Sequence, residues 1–107
     1  AGGIICPFNL KEQKLMLPDV IKSLGLDILI VASASLGTIN STVLTAEYAK
    51  QHNINVKGII LNNYDETDFM QIDNKKQVEA LTDVKVVATV KKEDKEIDDL
   101  SELFVEV

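Results

Sequence analysis

The 107 residues of this chain suffice for one small domain, and 46 % hydrophobic against 26 % charged residues is the balance of a soluble globular fold. A net charge of -6, with the Lys and Arg outnumbered and unclustered apart from Lys91-Lys92, excludes a nucleic-acid-binding surface. A single cysteine excludes an internal disulfide framework, and no apolar run reaches the roughly 18 residues of a membrane span, so a soluble cytoplasmic protein is expected.

Gly3 to Phe8 reads as a short buried strand or strand end, closed by Pro7. Cys6 within it fits a core thiol better than a nucleophile, because the only histidine, His52, is distant in sequence. Asn9 to Lys14 is polar and loop-like. Pro18 to Gly25 predicts a short helix, with proline in its first turn, glycine as its stop, and Val20, Ile21 and Leu24 facing inward. Ile28 to Ala32 is apolar without alternation, the pattern of a parallel strand covered on both faces.

Asn40 to Gln51 predicts a second helix. Ile39, Val43, Ala46 and Lys50 share one face, which Leu44 and Tyr48 broaden; Thr38, Asn40 and Ser41 are each competent to cap it. Val56 to Leu61 is the next buried strand and ends at Asn62-Asn63. Asp65 to Asp68 can cap a helix reaching about Ala80, with Phe69, Ile72, Val78 and Leu81 as its apolar positions and a polar middle from Asp73 to Gln77. Val84 to Val90 is a further strand, Lys91 to Glu96 a charged loop, and Ile97, Leu100, Leu103 and Phe104 mark a short amphipathic helix. Strand and helix alternate throughout, so a single α/β domain over residues 1–107 is expected, with a parallel sheet, right-handed crossovers and helices on both faces.

The stretch from Ile28 to Asn40 carries most of the functional information. A buried strand runs into a glycine turn and a helix start, the junction where open α/β sheets place anionic ligands. Gly37 permits close backbone approach or a left-handed turn, and Thr38 and Asn40 offer hydroxyl and amide groups. From the residues alone, the reading in which Gly37 only makes the turn and Thr38 or Asn40 only caps the helix comes first. Asn62, at the carboxyl end of its strand, suits the edge of an adenine; it also suits a turn-forming Asn-Asn pair. Asp27 and Asp65 read as solvated or capping, and Glu93, Asp94, Glu96, Asp98 and Asp99 as a solvated run without metal-ligand spacing. Nothing reads as Gly-x-x-x-x-Gly-Lys-Ser/Thr, so a ligand-binding half separated from its phosphate-binding half is expected.

Three segments together resemble the C-terminal half of dethiobiotin synthetase: Ala1-Gly2-Gly3, Leu36-Gly37-Thr38-Ile39-Asn40 followed by Leu44-Thr45, and Gly58-Ile59-Ile60-Leu61-Asn62. The Leu-Gly-Thr-Ile-Asn string is the specific part, and the similarity extends over essentially the whole chain. It implies a P-loop NTPase-like (Rossmann-like) fold, a cytoplasmic homodimer, and ATP and Mg²⁺ as cofactors. The implied reaction uses carbon dioxide to close a ureido ring on 7,8-diaminopelargonic acid in biotin synthesis. By the resemblance, Ala1, Gly2 and Gly3 end a segment whose backbone lies by the nucleotide phosphates and whose metal-binding Glu is expected just upstream. Leu36, Gly37, Thr38, Ile39 and Asn40 bind the substrate carboxylate across the dimer interface. Asn62 reads adenine with Asn63 beside it, and Lys91, Lys92 and Glu93 form a loop flanking the base. No catalytic residue and no metal ligand is expected within this chain, which should be inactive alone and associate as a dimer or with an N-terminal half. The family often carries His where Ser41 stands and Pro where Lys91 stands. Two other readings compete: a fragment of a cobyrinate diamide synthase-like amidoligase, and a non-catalytic α/β interaction module.

Overall fold

The computed structural model describes residues 4–5, 7–9, 15–35 and 37–91. Its centre is a three-stranded parallel sheet of β3 (Ile28–Ser33), β4 (Val56–Asn62) and β5 (Val86–Val90), in the order β3-β4-β5. Ile30 lies opposite Ile59 and Ala32 opposite Leu61; Ile59 in turn lies opposite Val86. The helical crossovers between successive strands are α2 (Thr38–Gln51) and α3 (Phe69–Thr82), which pack on each other and bury Ile30, Ala46, Ile59, Leu61, Val78 and Val86 in one core. The expected α/β architecture with parallel strands is thus present.

Gly58 is required by the middle of that sheet. A Cβ built there would stand 2.8 Å from Val87 Cγ1 and 3.3 Å from Leu29 Cδ2, so strands β4 and β5 keep their spacing only without a side chain at this point.

Chain entry differs from the sequence expectation. Pro7 does not close a strand but opens β1 (Pro7–Asn9), which pairs antiparallel with β2 (Leu15–Met16) in a sheet of its own. Only positions 10–14 lie between these two strands, too few for the crossover of a dozen or so residues that a parallel pair needs, so an antiparallel pair is the geometry open to them. Asn9 accordingly belongs to a strand, not to the loop. Helix α1 (Leu17–Ser23) follows directly; the Met16 N–H donates to Asp19 Oδ2 at 2.8 Å, and Gly25 takes a φ of 65° just beyond the helix. Pro18 is the residue this helix buries, whereas Leu24, expected inside, is exposed.

The buried stripe of α2 also departs from the apolar pattern. It runs Thr38, Thr42, Ala46, Ala49, a spacing of four and three residues, and leaves Leu44 on the solvent side. Small residues let the helix approach the sheet closely, and the hydroxyls of Thr38 and Thr42 lie 3.3 Å apart, so neither is buried without a partner. On α3, Asp68 performs the expected cap, its carboxylate accepting from the Met70 N–H at 2.9 Å. Phe69 and Leu81, however, are exposed, while Val78 is buried in the core and Ile72 packs against it. Cys6 and the expected C-terminal helix from Ile97 lie outside the described residues.

Candidate functional site

Two candidate sites stand side by side at the carboxyl end of the parallel sheet. Their frame is a hydrogen bond from the Ala34 N–H, just past β3, to the carbonyl of Asn62 at the end of β4, 2.8 Å long. The Ser33 hydroxyl donates to Ser35 Oγ at 3.0 Å, and the Ser35 carbonyl accepts the Thr38 N–H at 3.2 Å. Gly37 bridges these to the helix with a φ of 89°, a left-handed conformation that side chains rarely adopt. No atom would obstruct a Cβ there, so backbone conformation, not space, explains the glycine.

Gly37 therefore stands at the N-cap of α2, with no side-chain cap, and neither Thr38 nor Asn40 nor Ser41 has the capping position. Thr38 is only 4 % exposed, its hydroxyl lies against that of Thr42, and both residues line the groove along β3. The Ser41 hydroxyl turns back to the carbonyls of Gly37 and Thr38. With the Thr38 N–H on Ser35 and the Ser41 N–H on Gly37, Ile39 and Asn40 carry the remaining donors of the first turn. A helix start also presents about half a positive elementary charge, which suits a carboxylate.

Beside this first turn lies a trough of about 440 Å³ lined by Gly37, Ile39, Asn40 and Val43 of the α2 segment and by Met70, Asn74 and Leu81 of α3. Its walls are mostly aliphatic, and its polar groups are two side-chain amides and backbone. A larger groove of about 930 Å³ runs on the outer side of β3, between Leu17 and Ile21 of α1 and Thr42 and Thr45 of α2.

The second candidate site is built on the loop after β4. Asn62 and Asn63 are exposed, and Asn63 adopts a left-handed φ of 56° that reverses the chain. Tyr64 returns to the core, its N–H donating to the Val90 carbonyl at 2.8 Å. Lys91 Nζ lies 3.2 Å from Glu66 Oε1, which ties the end of β5 to the same loop. Both partners are exposed, so this ion pair steers the loop more than it stabilises the fold. Asp65 accepts from the Thr67 hydroxyl and N–H, and these bonds hold its carboxyl below the usual value.

Burial, with Glu66 adding to it, raises the Tyr64 hydroxyl above its ordinary pKa of 10.0. The folded chain thus keeps a proton that the unfolded chain loses. This contribution to stability is intact below about pH 10 and is lost as pH rises through the folded value. Tyr64→Phe is expected to make the alkaline fall in unfolding free energy shallower, as measured by urea titrations between neutral pH and pH 11.

The structure brings Gly37, Ile39 and Asn40 together at one trough, puts Asn62 and Asn63 on the exposed loop after β4, and ties Lys91 to that loop through Glu66. Ala1, Gly2, Gly3, Leu36, Lys92 and Glu93 lie outside the described residues. Among the described residues no group of three or more His, Cys, Asp and Glu is placed to hold a metal ion, and no helix is long and apolar enough to cross a membrane. Sequence reasoning missed Met70 and Asn74. The available signal was their spacing of four on a helix, which sets both on one face; the polar run around Asn74 obscured it.

Residues 8–98 match the family model described as the AAA domain. An ATP-dependent dethiobiotin synthetase BioD of Clostridium perfringens is 49% identical over 104 residues, which is 96% of this chain and 46% of that protein. Proteins of the same name from Clostridium botulinum and Brachyspira hyodysenteriae are 49% and 48% identical over 80% and 84% of this chain, and 38% and 41% of their own lengths. The chain therefore spans about half the length of the curated relatives it matches.

Proposed function

The chain belongs to the AAA-domain family and is a relative of the ATP-dependent dethiobiotin synthetases, and from that premise we propose that residues 1–107 form the C-terminal half of one such enzyme. The whole enzyme carboxylates 7,8-diaminopelargonate with carbon dioxide and closes the ureido ring of dethiobiotin at the expense of ATP. One amine becomes a carbamate, ATP phosphorylates it, and the second amine closes the ring as phosphate leaves. This half supplies binding, not phosphoryl transfer. Gly37 to Asn40, with Leu36 before them, hold the substrate carboxylate. Asn62 reads the adenine, with Asn63, Lys91, Lys92 and Glu93 around the base and Ala1, Gly2 and Gly3 towards the phosphates.

The observation that supports this reading is the Ala34–Asn62 hydrogen bond, which joins the segment leading into α2 to the end of β4 at the carboxyl end of the sheet, where open α/β sheets bind their ligands. Mg²⁺ belongs to the reaction in this reading. A cytoplasmic homodimer fits the apolar residues that α2 and α3 leave exposed, among them Leu44, Phe69 and Met70.

The test is product formation by the full-length protein that carries this sequence. Dethiobiotin is expected from diaminopelargonate, bicarbonate, ATP and Mg²⁺. The 107-residue chain alone is expected to form none, because phosphoryl transfer needs a phosphate cradle and metal ligands. A full-length protein that neither binds nor converts the diamine sinks the proposal.

A further inference from the structure

We propose that Glu66, through its ion pair with Lys91, is a positioning residue for the nucleotide base; this rests on the adenine site proposed above. The loop from Asn63 to Asp68 joins β4 to α3. Asn63, Asp65, Glu66 and Thr67 are exposed in it, and Tyr64 is its buried side chain. Packing therefore fixes the loop at Tyr64, and polar ties place the rest. On the helix side the Asp65 N–H donates to Gln71 Oε1 at 2.6 Å, and Asp65 Oδ1 accepts from the Thr67 N–H and hydroxyl. On the sheet side Val90 and Lys91, at and just past the end of β5, meet Tyr64 and Glu66. The Val90 carbonyl accepts the Tyr64 N–H at 2.8 Å, and Lys91 Nζ stands 3.2 Å from Glu66 Oε1.

The Tyr64–Val90 bond is backbone to backbone, so the Glu66–Lys91 contact is the tie between loop and β5 that depends on side chains. Asn62 itself is placed by the sheet, since its carbonyl holds the Ala34 N–H. What the ion pair sets is the separation between the loop and the segment that leaves β5 at Lys91. In the proposed site the base lies between those two, beside Asn62. The Lys91 and Glu66 side chains are 62 % and 65 % exposed, so solvent and salt leave the pair little weight in folding. Its weight falls on binding instead. A loop already held at its bound distance spares the cost of ordering it when the base arrives. Lys91 then acts on the loop, and Glu66 acts on the base through the loop.

The experiment compares the full-length enzyme with its Glu66→Gln and Glu66→Lys variants and with the exchanged pair, Glu66→Lys with Lys91→Glu. Loss of an exposed ion pair is expected to raise KM for ATP about threefold in the glutamine variant, and two facing lysines about fivefold in the lysine variant. The exchanged pair restores KM for ATP to within about twofold of the parent, because the attraction is the same with its ends reversed. A direct pull of position 66 on the triphosphate predicts the opposite, a lower KM in Glu66→Lys. In both Glu66 variants kcat and the KM for diaminopelargonate stay within about twofold, the signature of lost ground-state binding at one ligand. Added salt narrows the gap between parent and glutamine variant, a readout that a merely structural role would leave unmoved. An unchanged or lowered KM for ATP in Glu66→Lys overturns the inference while the proposed function stands. So does an exchanged pair no better than Glu66→Lys alone, or a Glu66 variant that loses kcat and diamine affinity together with ATP. If the parent enzyme does not act on the diamine, the proposed function falls and this inference with it.

Discussion

Leu61→Ala is expected to destabilise the fold by about 2–5 kcal/mol, a large share of the roughly 5–15 kcal/mol by which an ordinary domain is stable. Leu61 is 1 % exposed on the central strand, in the core cluster with Ile30, Ile59, Tyr64 and Val78. Removing its isobutyl group leaves a cavity between a sheet and a helix, and neither can collapse into it freely. The strand is held by ladders on both sides, and α2 is tied to β3 by the short turn through Gly37. The effect also reaches the candidate sites. Asn62 follows Leu61 directly and its carbonyl holds the Ala34 N–H, so a loosened Leu61 disturbs both openings at once. Urea denaturation of the full-length protein reads the stability change, and nucleotide affinity is expected to fall with it. Leu26→Ala, on an exposed side chain, is expected to stay within about 0.5 kcal/mol. Equal midpoints for the two variants would show that the core is not centred on β4.

What was legible in the sequence was whatever a single periodicity decides. The apolar runs of Ile28 to Ala32 and Val56 to Leu61 became neighbouring parallel strands, but only β4 is buried on both faces as expected; β3 stands at the end of the described sheet and leaves Val31 exposed. The Asp68 cap could be read because a carboxylate before an apolar pair has a direct use for the N–H of the next turn. Gly37 was legible as a turn but not as the cap, since its left-handed φ depends on how β3 and α2 meet. The inner face of α2 was hidden because Thr38 and Thr42 satisfy each other's hydroxyls, which no hydropathy scale credits. Pro7 could not be placed because an antiparallel partner at Met16 is a tertiary fact. The trough was illegible for the same reason: Asn40 and Asn74 belong to different helices, and only the packing of α2 on α3 makes them face one opening.

Val31→Pro is the substitution that tests how β3 is used in the whole protein. Strand backbone alternates sides. The Ile28 N–H goes to the Asn55 carbonyl and the Ala34 N–H to Asn62, both towards β4, so Leu29, Val31 and Ser33 direct theirs to the opposite edge. No strand pairs with that edge among the described residues, yet Val31 is 65 % exposed in an apolar groove of about 930 Å³. An open edge with an apolar floor invites a further strand. The relatives are about twice as long as the matched stretch, and if this chain is half of such an enzyme, as proposed above, a strand of the remaining half is the expected occupant of this groove. Proline at position 31 removes only an outward N–H and confines Ile30 to the extended conformation it already has. Were β3 a true edge, it would be tolerated. Beside an incoming parallel strand it leaves one acceptor unmet, at about 1–3 kcal/mol, and lifts away a covered valine side chain worth about 1.5–3 kcal/mol. In the full-length protein the expected loss is therefore on the order of 4 kcal/mol, and the turnover proposed above is expected to fall with it. Urea midpoints and dethiobiotin formation, measured on the same preparations, decide the matter. A Val31→Pro protein of parental stability and activity would mean that β3 ends the sheet in the intact molecule and that the other half docks elsewhere.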